Sequence, residues 1–165
     1  MAVSLKRFRR MVGHDVPAVL ALERSTFPAP WTEQMLRDEL AARGRTYLVV
    51  DGETGVMAYG GFTVIDADAH IMTIAVEEGH RRRGTGTRLL LALIDSALEA
   101  GAEHFTLELR VSNRAALCLY TKFGFAPMGV RPRYYVDEDA LVMWAVDAAG
   151  PVYRRMLDRI REEAA

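Results

Sequence analysis

The sequence predicts a mixed α/β domain with a mostly antiparallel central sheet of six to seven strands and helices on both faces. Two observations predict this class. Two stretches with helical spacing come first, and an antiparallel run of strands follows them. The second half then alternates strand, helix, strand, helix and strand, an order typical of a sheet covered by helices. The 165 residues suffice for one domain with a proper core, which we place at residues 1–148, with a helical tail at 149–165.

The N-terminal third is predicted to contain an edge strand and two helices. Residues 3–10 alternate loosely, as an edge strand does. A helical stretch over 16–27 is closed by Pro28. Thr32 is a good N-cap for a second amphipathic helix, which ends near Gly44.

The middle of the chain is predicted to form three strands and a long helix. Residues 46–51 and 56–65 flank a turn and read as a hairpin, and 69–76 continue the run. A leucine-rich helix then extends to about Ala100.

The C-terminal part alternates strands and helices. We predict a strand at 104–111, a helix at 112–123, strands at 125–130 and 139–146, and a terminal helix that starts at Pro151.

Composition narrows the function. Half of the residues are hydrophobic and the net charge is −1, so nucleic-acid binding is not expected. No apolar run is long enough for a signal peptide or a membrane span, so we expect a soluble protein without a membrane partner. The single cysteine, Cys118, excludes an internal disulfide and fits the cytoplasm; we expect it to be a small buried side chain.

The histidines do not predict a metal site. His14, His70, His80 and His104 are scattered along the chain without the spacing of metal ligands.

A short basic and glycine-rich stretch precedes the long helix. Arg81, Arg82 and Arg83 run into Gly84-Thr85-Gly86. A helix start offers N–H groups and a partial positive charge, and glycine lets a ligand approach the backbone. The stretch therefore predicts a seat for an anion such as a phosphate.

Other interpretations of this stretch are weaker. Leu89 stands where a dinucleotide fingerprint has its third glycine, and no Gly-Lys-Ser/Thr of a P-loop follows. A plain connector with solvated arginines is the structural alternative, but three cations at a helix start oppose the helix dipole unless an anion binds there.

Glu108 is a carboxylate in an otherwise apolar strand, between Leu107 and Leu109. Such a group is costly unless it is paired or takes part in chemistry. A salt bridge to an arginine such as Arg110, or a place at a solvated sheet edge, is about as plausible as catalysis.

Asn113 and Tyr120 follow on the next helix. They are seven residues apart, which is two helical turns, so they share one face. A simple helix cap and a core tyrosine are the structural alternatives, but the two residues directly after Glu108 make a stronger case for a site.

These motifs together resemble a known family. The pattern Arg81-x-x-Gly84-x-Gly86, after a strand ending in IAV, resembles the acyl-CoA signature of the GCN5-related N-acetyltransferases (GNAT). The block LELRVSNRAALCLYTKFGF resembles the RimI-like branch, the ribosomal-protein-alanine N-acetyltransferases. The likeness extends from the FPAPWTE segment to about residue 148.

The resemblance implies a GNAT fold and acetyl-CoA as co-substrate, with no metal. The residues implied in acetyl-CoA binding are those of the third strand's end, the glycine signature and the helix start after Glu108: Ile74, Ala75, Val76, Arg81, Arg82, Arg83, Gly84, Thr85, Gly86, Thr87 and Asn113. It further implies Glu108 as the general base and Tyr120 as the general acid.

The implied substrate is the N-terminal α-amine of a protein, in this branch a ribosomal protein. Phe27 and Trp31 would line the peptide side, in a segment two residues longer than the usual FPW. Tyr134 and Tyr135, in the expected turn between the last strands, would grip the peptide, and the acidic residues 137–139 could attract a basic one. A lysine or small-molecule acetyltransferase and a non-catalytic acyl-CoA-binding protein are the alternatives.

Overall fold

A computed structural model describes residues 7–165, and the predicted fold class is confirmed. One seven-stranded, mostly antiparallel sheet has the strand order β1-β2-β3-β4-β5-β7-β6. Its strands are β1 (Arg7–Arg10), β2 (Arg45–Gly52), β3 (Gly55–Ile65), β4 (Asp68–Val76), β5 (His104–Arg110), β6 (Ala126–Tyr135) and β7 (Glu138–Ala145). The helices are α1 (Val16–Thr26), α2 (Glu33–Ala41), α3 (Thr85–Glu99), α4 (Arg114–Lys122) and α5 (Pro151–Glu163), with short 3₁₀ helices at Gly13–Asp15 and Glu78–His80.

The chain divides into two compact units. The first comprises the described residues up to Thr63 together with Met72–Asp95. Its hydrophobic core is made by α1, α2 and the strands β2 and β3, with Val16, Val49 and Tyr59 completely buried. Apolar residues at helical spacing on α1 supply one side of this core, as the sequence pattern predicts.

The second unit comprises Val64–Ile71 and Ser96–Ala165. Strand β5 pairs in parallel with the start of β4 and antiparallel with β7, and β7 pairs antiparallel with β6. Phe105, Leu107 and Met143 are buried in its core.

The structure corrects two local expectations and confirms part of a third. Strand β6 runs on to Tyr135, so Tyr134 and Tyr135 belong to the strand and not to the turn. Cys118 is exposed and not buried, because it lies on the outer side of α4. Of the edge strand predicted over 3–10, residues 7–10 form β1, and residues 3–6 lie outside the described part.

The terminal helix begins at Pro151, as predicted. The division into a domain of residues 1–148 and a tail of 149–165 stays a prediction. No helix among residues 7–165 combines the length and the apolar character that crossing a bilayer requires.

Candidate active site

The arginine-glycine loop (residues 81–87) lies between β4 and α3, in the first unit. The side chains of Arg81, Arg82 and Arg83 are all exposed. The Arg81 Nε donates a hydrogen bond of 2.9 Å to the carbonyl of Val76, which ties the loop to the end of β4. The loop turns through left-handed backbone at Arg82 (φ 58°) and Gly84 (φ 74°). Such a turn brings successive N–H groups to one side, as anion-binding loops do.

Helix α3 starts directly in this loop. A hydrogen bond of 3.0 Å from the Arg88 N–H to the Gly84 carbonyl begins the helical ladder, so the N–H groups of Gly86 and Thr87 lie ahead of it. The Arg88 guanidinium donates a hydrogen bond of 2.8 Å to the Arg83 carbonyl, which links the first turn of α3 to the loop. This loop fits a phosphate group, because it combines leading N–H groups, the positive end of the helix dipole and three exposed guanidinium groups.

Glu108 lies in the second unit, on the face of β5 opposite the core. Phe105, Leu107 and Leu109 point into the core, and Glu108 alternates with them, as predicted. Its side chain is only 9% exposed. The carboxylate lies 2.9 Å (Oε2) from the His70 Nε2 and 3.5 Å (Oε1) from the Arg131 guanidinium.

The salt bridge to an arginine that was the structural alternative for Glu108 is formed with Arg131 and not with Arg110. Arg110 turns to the β6–β7 turn and pairs with Asp137 at 2.7 Å and with Glu138 at 3.3 Å. Arg110 therefore serves the β6–β7 hairpin, and the ionic partners of Glu108 come from other strands.

Tyr120 lies near the C-terminal end of α4. It is buried, and its ring packs on Phe125 with centroids 5.6 Å apart. Burial raises the pKa of Tyr120 well above its usual value, so the hydroxyl stays protonated across the neutral range. The structure gives no hydrogen-bond partner for this hydroxyl within residues 7–165. A protonated hydroxyl of this kind can donate a proton to a leaving group.

Asn113 is the N-cap of α4. Its Oδ1 accepts a hydrogen bond of 3.1 Å from the Ala116 N–H. Asn113 therefore acts as a helix cap, as the structural alternative predicted. A contact between its side-chain NH₂ group and acetyl-CoA stays a prediction.

The predicted substrate segment of residues 27–31 lies in the first unit. Phe27 and Trp31 are partly buried and pack on the hydrophobic core, and Trp31 meets Tyr47 edge-on at 6.3 Å. The segment is held by Glu23, whose carboxylate accepts a hydrogen bond of 3.0 Å from the Trp31 N–H and another from the Tyr59 hydroxyl.

Glu23 has the character of a site residue that the sequence analysis missed. It is 1% exposed, and burial raises its pKa. In the sequence it is one of two charged residues on an amphipathic helix. Only its helical spacing from the apolar residues Val16, Val19 and Leu20 could have indicated that it points into the core.

Tyr134 and Tyr135 pack edge-on against each other, with centroids 5.2 Å apart. Tyr134 is 51% exposed, and Tyr135 is partly buried under the Arg110 guanidinium at 4.3 Å. An exposed tyrosine beside a rigidly held one offers a contact surface to a ligand at low entropic cost.

The acidic residues in and just after the β6–β7 turn all have hydrogen-bond or ionic partners. Asp137 and Glu138 pair with Arg110, and Glu138 also accepts a hydrogen bond of 2.8 Å from the Ser112 N–H. Asp139 accepts one of 2.8 Å from the Arg133 N–H. Arg110 thus offsets one of these three negative charges, and the attraction of a basic peptide stays a prediction.

The sequence analysis also missed His70 and Arg131, the two neighbours of Glu108. Nothing in the spacing of the histidines signals this pairing, because it depends on β4 and β6 lying near β5 in the sheet. Within residues 7–165, no group of three or more His, Cys, Asp or Glu side chains could hold a metal ion.

The fold and the family comparison identify an N-acetyltransferase of the GNAT class. The model of the acetyltransferase (GNAT) family matches residues 16–125, and the chain belongs to this family. The predicted acyltransferase class is thereby confirmed, and membership implies acetyl-CoA as the acetyl donor.

Relatives narrow the class. The chain is 37% identical to a Bacillus subtilis protein named as a candidate [ribosomal protein bS18]-alanine N-acetyltransferase, over 82% of this chain and 92% of the relative. It is 33% identical to the Escherichia coli K12 [ribosomal protein bS18]-alanine N-acetyltransferase, over 78% and 89%. The crystal structure of the ribosomal-protein-S18-alanine N-acetyltransferase from Escherichia coli superposes with a TM-score of 0.80 at 28% identity, covering 87% and 94% of the two chains. The RimI-like resemblance of the sequence is confirmed.

Proposed function

We propose that this protein transfers the acetyl group of acetyl-CoA to the N-terminal α-amine of ribosomal protein bS18, with Glu108 as general base and Tyr120 as general acid. The observation that carries the proposal is Glu108, a carboxylate that is only 9% exposed and lies 2.9 Å from the His70 Nε2, on the face of β5 opposite the core. The relatives named for bS18 support the choice of substrate.

Acetyl-CoA supplies an activated thioester when it is bound. The arginine-glycine loop and the start of α3 would hold its pyrophosphate through N–H groups and exposed arginines. The backbone of residues 74–76 on β4 would pair with its extended arm, as a peptide adds to a sheet edge. Asn113 would contact the same arm.

The two titratable groups have separate tasks. Glu108 takes the proton that the amine loses as its nitrogen forms the new amide bond. Tyr120, kept protonated by burial, gives its proton to the departing thiolate. His70 and Arg131 lie 2.9 Å and 3.5 Å from the Glu108 carboxylate and would hold it in position.

An α-amine suits this site better than a lysine. An α-amine with a pKa of about 8 costs roughly 1.4 kcal/mol to bring to its neutral form at pH 7, whereas a lysine near 10.4 costs about 4.6 kcal/mol. A site with one carboxylate base needs the smaller of these costs. Lysine or small-molecule acetylation is the second candidate function.

On the peptide side, Tyr134 and Tyr135 would contact the first residues of the substrate, and Phe27 and Trp31 would shape the wall. The exposed ring of Tyr134 supports this role. The proposed substrate places the activity in the cytoplasm, where ribosomal proteins are made.

The test is acetyl-CoA turnover with a panel of amines. The panel contains a peptide with the N-terminal sequence of bS18 starting at alanine, the same peptide with a blocked N-terminus and one lysine, and free small amines. We expect the first to react fastest. Glu108→Gln should lower its turnover by roughly 10²–10⁴ and leave acetyl-CoA binding nearly unchanged.

A Gly86→Glu variant serves as the matched control for the donor site. It adds a carboxylate next to the leading N–H groups of α3, so it should weaken acetyl-CoA binding. Near-normal turnover of Glu108→Gln at pH 7 would remove Glu108 as the base. Faster reaction of small amines than of every peptide would favour the second candidate function.

A further inference from the structure

His70 and Glu108 meet on one face of the sheet although they are 38 positions apart in the sequence. Strands β4 and β5 run parallel, and His70 is opposite Thr106 in the register. Opposed residues of neighbouring strands point to the same face, and side chains two apart on one strand do so as well. His70 therefore shares a face with Glu108, and its Nε2 lies 2.9 Å from the Glu108 Oε2.

The two side chains differ in their access to water. The Glu108 side chain is 9% exposed, and the His70 side chain is 29% exposed. A proton that reaches the enclosed carboxylate needs a path out before the next turnover. Because the His70 side chain is more exposed than Glu108, His70 can connect the carboxylate to solvent.

The other neighbour of Glu108 cannot provide such a path. Arg131 lies 3.5 Å from the Glu108 Oε1 and is 59% exposed, but a guanidinium group stays protonated and has no lone pair to accept a proton. An imidazole can accept a proton at one ring nitrogen and release one from the other. Chemistry therefore separates the two partners, with Arg131 as a fixed charge and His70 as an exchangeable one.

We propose that His70 is the proton relay and positioning residue of Glu108, an inference that rests on the proposed function. The amine proton passes to a Glu108 oxygen as the amide bond forms. Glu108 then gives that proton to the unprotonated His70 Nε2 while the His70 Nδ1–H releases its proton to water. Exchange of the Nε2 proton for one at Nδ1 through water then restores the starting tautomer before the next turnover. One proton has left the amine and one has reached solvent, while Tyr120 supplies the separate proton of the thiol product and recovers it from water.

The test compares His70→Gln and His70→Ala with the wild-type enzyme in turnover of acetyl-CoA and an alanine-terminated bS18 peptide. Glutamine keeps an amide that can hydrogen-bond Glu108, but it cannot carry a proton. We expect both variants to lose roughly tenfold or more in kcat, less than the 10²–10⁴ for loss of the base itself, with an unchanged KM for acetyl-CoA. Added imidazole should restore His70→Ala in a saturable way and should have no effect on Glu108→Gln.

His104→Gln is the matched control, since it removes an imidazole from the same strand as Glu108 without touching the carboxylate. It should keep wild-type turnover and should not respond to imidazole. Wild-type turnover in His70→Gln would show a merely positioning role and overturn the relay, as would a His70→Ala enzyme that imidazole does not restore. If Glu108→Gln itself is fully active, the proposed base fails instead, so the two failures are distinct.

Discussion

A single arginine organises the polar residues at the start of the described chain. The Arg9 guanidinium donates two hydrogen bonds of 2.8 Å to the Asp15 carboxylate and also pairs with Asp51 at 2.7 Å. Asp15 is 6% exposed and accepts a further bond of 2.8 Å from the Val12 N–H. The hydrogen bonds from Arg9 lower the pKa of Asp15 below its usual value.

Asp15→Asn should destabilise the protein by about 2 kcal/mol at pH 7, because the charged hydrogen bonds from Arg9 are lost while the group stays buried. A carboxyl with a lowered folded-state pKa contributes stability above its unfolded pKa of about 3.9, and that contribution is lost as the pH falls through the folded value. The difference in free energy of unfolding between wild type and variant should therefore shrink below about pH 4. Urea titrations at several pH values measure it.

Asp51→Asn provides the comparison, since Asp51 is 33% exposed and pairs with the same arginine. It should cost less than Asp15→Asn. A gap between wild type and Asp15→Asn that stays constant down to low pH would contradict the assigned role of Arg9.

At the same scale, the sequence predicted the orientation of Glu108 but not its partners. Alternation with Leu107 and Leu109 is a local property of one strand, and it correctly placed the carboxylate opposite the core. The neighbours His70 and Arg131 come from strands distant in sequence, so only the sheet order brings them to Glu108. The nearby Arg110 was the natural local partner, but the β6–β7 turn competes for it with two carboxylates.

At the scale of secondary-structure elements, the side chain of Arg110 connects strand β5 to the β6–β7 hairpin. Arg110 on β5 pairs with Asp137 and Glu138 and covers the Tyr135 ring. These hydrogen bonds lower the pKa of Asp137. The arginine thus fixes both the turn and one of the two proposed substrate tyrosines.

Arg110→Met should raise the KM for the bS18 peptide several-fold, with little change in acetyl-CoA binding and kcat. Methionine keeps the aliphatic volume over Tyr135 but removes the charge that holds the turn. Steady-state kinetics with both substrates separate these effects. Arg133→Met, on the exposed strand β6, is the control and should leave the peptide KM near the wild-type value. Equal effects of the two substitutions on the peptide KM would argue against the proposed role of Arg110 in fixing the turn and Tyr135.

Across the whole molecule, the terminal helix α5 supports the turn that follows Tyr120. The Tyr153 hydroxyl donates a buried hydrogen bond of 2.7 Å to the Phe123 carbonyl. Gly124 adopts φ 77°, and a Cβ there would lie 3.2 Å from Met156. The Tyr120 carbonyl in turn accepts hydrogen bonds from the N–H groups of Phe123 and Phe125. A helix beyond the family-matched residues 16–125 therefore helps to hold a proposed site residue.

Tyr153→Phe should lower the free energy of unfolding by about 1–2 kcal/mol, because the Phe123 carbonyl loses its buried donor while the ring packing is kept. Urea denaturation measures the change. Val152→Ala is the control, since Val152 is 72% exposed, and it should be nearly neutral. A Tyr153→Phe protein as stable as the wild type would mean that α5 is anchored by its apolar contacts alone.

Most of the fold could be predicted from the sequence, because helix caps, apolar spacing and turn residues are local signals. Thr32 caps α2 by accepting the Met35 N–H, as its position before the apolar spacing indicated. The extension of β6 to Tyr135 could not be predicted, since Pro132 and two arginines interrupt the usual strand pattern. Exposure of Cys118 likewise depends on which side of α4 meets the sheet.

Both outer strands of the sheet are poor templates for another chain. Strand β1 carries arginines at positions 7, 9 and 10. Strand β6 contains Pro127 and Pro132, which have no N–H, and its register with β7 is irregular beside each of them. Within residues 7–165, neither edge presents an unbroken row of donors and acceptors flanked by apolar side chains, although Met128 and Val130 are exposed. Edge-to-edge pairing between the sheets of two copies is therefore disfavoured. We expect newly synthesised molecules to have a low tendency to aggregate through these edges, even at high local concentration.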